Sequence, residues 1–277
     1  MKIEERAPGV NLFKFADDSK IGYQVRDQNE EETFQKGINA IAEWCEENGM
    51  SLHPNKCSIM KFGSGNTNKV YTLLGNTLCE STCEKDLGIN ISNDLKATEH
   101  VKAVSGKAHR VLSSVKRTVT YRDEVFIELY KIYVRPLLEA NTVVWNPAKE
   151  SDIKKIGGVQ RRALRCVKGF KDLSYPDRLN KSGMVTLKER RLKYDMVQTY
   201  RCLVKGDIKL EKVKERHKVN TRCAENENLV KEKCKTNVRQ QYFSNRIVND
   251  WNHLPLEIRS SENVHSFKSQ LNMFYGF

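Results

Sequence analysis

Nowhere in the 277 residues does an apolar run approach the ~18 consecutive positions of a membrane span. Met1 to Pro8 hold no apolar stretch of the signal-peptide kind either. An intracellular protein, in nucleus or cytoplasm and away from membranes, is therefore expected. No internal repeat and no extended low-complexity tract is present. The eight cysteines (45, 57, 79, 83, 166, 202, 223 and 234) do not read as a disulfide framework, because the chain is neither short nor visibly secreted. They do not read as a zinc finger. Cys79 and Cys83 have no second close Cys/His pair at finger spacing, and His217, Cys223 and Cys234 are irregularly placed. Disorder is excluded by a hydrophobic fraction of 39% with ten Phe, ten Tyr and three Trp.

What the chain does have is an uneven charge. Residues 1–100 carry a net −5, and residues 101–277 carry +18. The C-terminal part is expected to meet a polyanion, of which nucleic acid is the usual one.

The apolar spacing changes along the chain in step with the charge. Val10 to Phe15 and Lys20 to Val25 read as strands around the polar break Ala16-Asp17-Asp18-Ser19, a hairpin. Phe34, Ile38, Ile41 and Cys45 mark a helix over 28–48, closed by Gly49. Further strands are expected over Ser58 to Phe62, near Tyr71–Leu74 and around Leu87–Ile91. Residues 9–92 thus read as an α+β segment with a mainly antiparallel sheet. From residue 94 the spacing is helical. Val101, Val104, Ala108, Val111 and Val115 form one stripe, with Asp94 as candidate cap. A helix from about Asp123 to Arg135 should kink or stop at Pro136. Others follow at 150–168 (Ile153, Ile156, Val159, Ala163, Val167) and 186–205 (Leu187, Tyr194, Val197, Leu203). The charged stretch 205–235 is expected to be flexible. Two helices built on Phe243, Ile247, Trp251 and on Val264, Phe267, Leu271, Phe274 close the chain.

Two adjacent carboxylates at a hairpin tip have two readings. Asp favours turns, so Asp17-Asp18-Ser19 serves as a polar turn. The pair also suits a hard divalent cation such as Mg²⁺, which takes oxygen ligands and leaves positions for substrate phosphate.

The surrounding fragments, in order, resemble one family. They are Phe15-Ala16-Asp17-Asp18 with Lys20-Ile21, Trp44-Cys45, Asn55-Lys56-Cys57 and Lys85-Asp86-Leu87-Gly88. Leu129-Tyr130-Lys131, Val134-Arg135-Pro136-Leu137-Leu138-Glu139 and Val144-Trp145-Asn146-Pro147 continue the series. Val159-Gln160-Arg161-Arg162-Ala163, Tyr175-Pro176-Asp177-Arg178-Leu179, Arg190-Arg191, Phe243-Ser244-Asn245-Arg246 and Trp251-Asn252-His253-Leu254-Pro255 complete it. Together they resemble the reverse transcriptases of non-LTR (LINE-type, jockey-like) retrotransposons over nearly the whole chain. The resemblance implies a partial palm over 1–93, with Asp17 and Asp18 as Mg²⁺ ligands and Lys56 as a general acid for the pyrophosphate leaving group. It implies a primer grip near Lys85–Ile91, thumb-like helices over 94–148 and a basic helical C-terminal region over 149–277. An RNA template with a DNA primer, or an RNA–DNA hybrid, would be the partner. Phe13 and Phe15 are expected to pack.

Such palms use a third carboxylate on an upstream strand. The sixteen residues before Asp17 offer Glu4 and Glu5, in no strand-like context. These residues by themselves are therefore expected to carry part of an RNA-directed DNA polymerase without polymerase activity. The alternative is a catalytically silent nucleic-acid-binding or protein-interaction remnant of such an element. The candidate contact residues are Lys116, Arg117, Lys154, Lys155, Arg161, Arg162, Arg165, Lys168, Arg190 and Arg191. Arg161, Arg165 and Lys168 recur at i, i+4, i+7, so one helix face presents them together. Trp145, Tyr175 and Trp251 are expected in the core.

Overall fold

The first strand alternates Leu12 and Lys14 with Phe13 and Phe15, and that alternation sets which side of the first hairpin meets the following helix. In the computed structural model, which describes residues 9–16, 18–63, 68–121, 123–206 and 228–276, β1 (Asn11–Phe15) pairs antiparallel with β2 (Asp18–Gly22), Phe15 opposite Asp18. Ala16 has φ 52°, the left-handed backbone that a tight hairpin turn requires. Helix α1 (Gln28–Glu47) starts where the Asp27 carboxylate accepts from the Glu30 N–H at 2.9 Å. It buries Phe34, Ile38, Ala42 and Cys45. Lys14 lies 4.6 Å over the Trp44 ring, so Leu12 and Lys14 face α1. Phe13 and Phe15, on the opposite side, are each 62% exposed; the packing expected of them does not occur.

The remaining strands are short: β3 (Ser58–Ile59), β4 (Thr72–Leu73), β5 (Asn76–Thr77), β6 (Cys79–Glu80), β7 (Cys83–Asp86) and β8 (Ile89–Ser92). Among the described residues they form separate two-stranded pairs, β1–β2, β3–β6, β4–β5 and β7–β8, and not one palm-like sheet. β1–β2 and β4–β5 are antiparallel, within the mainly antiparallel expectation, whereas β3–β6 is parallel. Strands of two residues make too few ladder bonds to recruit a further neighbour.

The chain divides into two compact units, Met1–Glu84 and Lys85–Phe277. In the first, Phe34 meets the Tyr71 ring edge-on at 5.2 Å, and the Gln35 side chain both donates to and accepts from the Thr72 backbone. In the second, α2 (Thr98–Thr118) is not capped by Asp94: its N-cap is Ala97, without a side-chain bond. Asp94 sits too early. It accepts instead from the Ser92 hydroxyl at 2.7 Å and the Lys96 N–H at 3.0 Å, closing the loop between β8 and α2. These bonds, with Lys96 alongside, hold its carboxyl down to about 2. A depressed carboxylate stabilises the fold above its unfolded value and loses that contribution as pH falls toward about 2. Asp94→Asn is therefore expected to cost under about 1 kcal/mol at neutral pH, because the group is exposed. The difference from wild type should vanish in urea melts near pH 2.

Pro136 does not stop its helix. α3 (Glu124–Leu129) passes into a π-helical turn, Tyr130–Val134, and continues as α4 (Arg135–Glu139). The wider turn accommodates a ring that would otherwise crowd the carbonyl one turn back. Asn141, with φ 56°, starts α5 (Thr142–Trp145), and the Trp145 indole N–H donates to Ala140 at 2.7 Å. Then come α6 (Glu150–Arg165), α7 (Tyr175–Ser182) and α8 (Leu187–Leu203). α9 (Asn237–Gln240), α10 (Phe243–His253), α11 (Leu256–Arg259) and α12 (Val264–Tyr275) follow.

No division falls at 148/149. Val101, Leu112, Phe126, Leu138 and Trp145 share one core with Ile156, Val159, Leu164 and Leu187, because α2 lies against both α4 and α6. A second cluster gathers Met196, Tyr200, Ile247, Trp251, Phe267 and Leu271. The fold is α+β, and no helix among the described residues is long and apolar enough to cross a membrane. Of the stretch 205–235, residues 207–227 lie outside the described residues.

Candidate nucleic-acid interface

The buried stripe of α6 holds Ile156, Val159, Ala163 and Leu164, which turns the opposite face to solvent. On that face Lys154, Lys155, Arg161, Arg162 and Arg165 are exposed, as is Lys168 in the following turn. Lys154 has a loose ion pair with Glu150 at 3.9 Å. Arg161 lies 5.1 Å over the half-buried Tyr175 ring, whose hydroxyl is pushed up by burial against the pull of Arg161. On α2, burial, with the Arg162 charge added, holds the His109 imidazole below its ordinary value. Beyond the helix, Arg178 donates to the Phe170 and Lys171 carbonyls, both at 2.9 Å, and fixes the turn that carries Lys168. Lys116 is half-buried and Arg117 exposed in the last turn of α2.

Arg190 and Arg191 do not belong to this surface. Arg190 donates to both oxygens of Glu139, the second at 3.0 Å, and to the Tyr194 hydroxyl at 2.8 Å. Burial lowers the Arg190 guanidinium, but the Glu139 bonds and charge outweigh it and leave it raised. Arg191 is 3% exposed and donates to the Asn146 side chain at 3.0 Å. Burial lowers it to about 10, against the charges of Asp195 and Glu139. Beside it Arg246 grips Asp195 with two bonds of 2.8 Å and reaches the Val143 carbonyl at 2.7 Å. Burial pushes the Asp195 carboxyl up against that pull. These arginines stitch α4, α5, α8 and α10 together, Arg190 half-buried and Arg191 buried. The apolar stripe assigned to α8 is corrected with them: Arg191, Asp195, Met196, Thr199 and Tyr200 are buried, whereas Tyr194, Val197 and Leu203 are half-buried.

In the first unit, Asp18 and Lys56 are exposed, Asp18 at the start of β2 and Lys56 at the end of the 3₁₀ turn Pro54–Lys56. No ion pair joins them. Asp17 lies outside the described residues. Among the described residues no group of three His, Cys, Asp or Glu comes together to hold a metal ion. Asp18 offers one hard oxygen donor set, which is not by itself a Mg²⁺ site. Trp145 and Trp251 are buried, as expected.

No protein-family model matches the chain, and no solved structure matches it. It is similar to an uncharacterized protein of Caenorhabditis elegans, 27% identical over 128 residues, or 44% of this chain and 63% of that protein. The chain thus spans less than two thirds of that relative's length.

Proposed function

We propose that this chain binds nucleic acid through α6, as the template–primer-holding piece of a non-LTR retrotransposon reverse transcriptase. The observation that carries the reading is the cationic face of α6, with Lys154, Arg161 and Arg165 exposed along one side of a helix whose other side is core, and Lys168 exposed in the turn that follows. On this reading α2 to α5 are the thumb and the first unit is part of the palm. Asp17 and Asp18 are then the Mg²⁺ ligands, Lys56 is the acid for the leaving group, and an RNA template with a DNA primer is the partner.

Phosphate contacts by side chains of this kind position a duplex without reading its sequence. Four such contacts give a slope of log affinity against log salt near about −3.6, or about 100-fold weaker binding between about 50 and about 200 mM salt. Anisotropy titrations with an RNA–DNA hybrid should show that slope. Arg161→Ala/Arg165→Ala should weaken low-salt binding by about 10-fold or more and flatten the slope by about 2. Binding by the double variant at wild-type strength would remove α6 as the contact.

A further inference from the structure

The cationic face of α6 is interrupted at its middle by Gly157-Gly158. Glycine is, after proline, the poorest residue for a helix interior, so two in succession are conspicuous. Neither has a positive φ that would call for glycine. Packing does not call for it either. Among the described residues nothing lies within 4 Å of a Cβ placed on Gly158, and a Cβ on Gly157 meets only the Arg161 guanidinium, at 3.7 Å. A helix that needed glycine to admit a neighbour would show that neighbour's backbone or ring at this distance.

Lys154, Gly158, Arg161 and Arg165 fall at i, i+4, i+7 and i+11, so Gly158 lies in line with three exposed cations. Arg161 is already positioned over the Tyr175 ring, its guanidinium 3.7 Å from where a Cβ on Gly157 would stand. Flat backbone flanked by cations on both sides is a shape that admits a sugar–phosphate strand close to the helix axis, with its phosphates between Lys154 and Arg161. We infer that the cationic face, with Gly157-Gly158 as its floor, seats the phosphodiester backbone of a nucleic acid at closer range than side-chain contacts alone would allow. The inference rests on the nucleic-acid reading of α6 and adds to it a steric requirement at a position that carries no charge.

The test is Gly158→Leu in the full chain. Leucine favours helix, so a seat without a structural role gains thermal stability while it loses its ligand. The variant should melt about 2–4 °C above wild type. Its affinity for an RNA–DNA hybrid of arbitrary sequence should fall at least about tenfold, about 1.4 kcal/mol. Gly158→Ala should move both quantities in the same directions by less. Wild-type affinity in Gly158→Leu, with Arg161→Ala/Arg165→Ala still weakened, overturns the seat and leaves the α6 contact standing. Unchanged affinity in both overturns the seat and the nucleic-acid reading together. A lowered melting temperature in Gly158→Ala shows that the glycine serves packing, which also overturns the seat.

Discussion

Arg246→Ala is expected to destabilise the second unit by about 3–5 kcal/mol, a cost typical of breaking a buried ion pair from one side. Both side chains of the pair are under a tenth exposed, 9% for Arg246 and 8% for Asp195. Removing the guanidinium leaves Asp195 charged and without its two bonds, and the Val143 carbonyl without its donor. Lysine at 246 restores the charge but not the fork, so Arg246→Lys should recover only part of the loss. Urea melts read both variants. A midpoint for Arg246→Ala equal to wild type would show that the network contributes nothing to stability.

The second large effect is expected from the apolar end of the same unit. Phe267 is fully buried, stacked on Tyr200 at 4.4 Å between ring centroids and tilted against Trp251 at 6.2 Å. Phe267→Ala removes most of a ring from the middle of a cluster that α8, α10 and α12 build together, and a cavity of that kind costs about 3–5 kcal/mol. Phe267→Leu, which refills most of the volume, should cost less than half as much. A thermal melt of Phe267→Ala within a degree of wild type would mean that the cluster collapses around the gap. Neither variant touches α6, so on the proposed reading any nucleic-acid binding by the folded fraction should keep the wild-type salt dependence.

The helices were legible where burial is apolar and local. Ile156, Val159 and Ala163 on α6, and Ile247 and Trp251 on α10, lie where their spacing put them. The face of α8 was not legible, because a search for apolar spacing passes over buried charge. Leu187, Arg191, Asp195 and Thr199 recur at steps of four, an apolar start continued by polar residues on one line. That run was the available signal, but its partners Asn146 and Arg246 lie 45 and 51 positions away and no local pattern names them. The same blindness placed Arg190 and Arg191 among the candidate contact residues. Net charge counts cations without saying which are already spent on carboxylates. The strands were the least legible, since a strand-like run of five residues such as Ser58 to Phe62 forms only a two-residue ladder when one short neighbour is available. Gly157-Gly158 was plain in the sequence, but its openness depends on what stands opposite, which only the packing shows.

The Arg246 clasp also sets a timetable for synthesis. Asp195 leaves the ribosome 51 residues before its partner, an interval of about 3–10 s at ordinary elongation rates. Throughout it, α8 carries a carboxylate that its final surroundings would bury, with Arg191 beside it but without the two guanidinium bonds from Arg246. The helices from α2 to α7 can meet during that interval, but α8 cannot settle fully until α10 has emerged. A nascent chain paused between those two points is therefore expected to be protease-sensitive at α8 and resistant at α2, and release past Arg246 should close the difference.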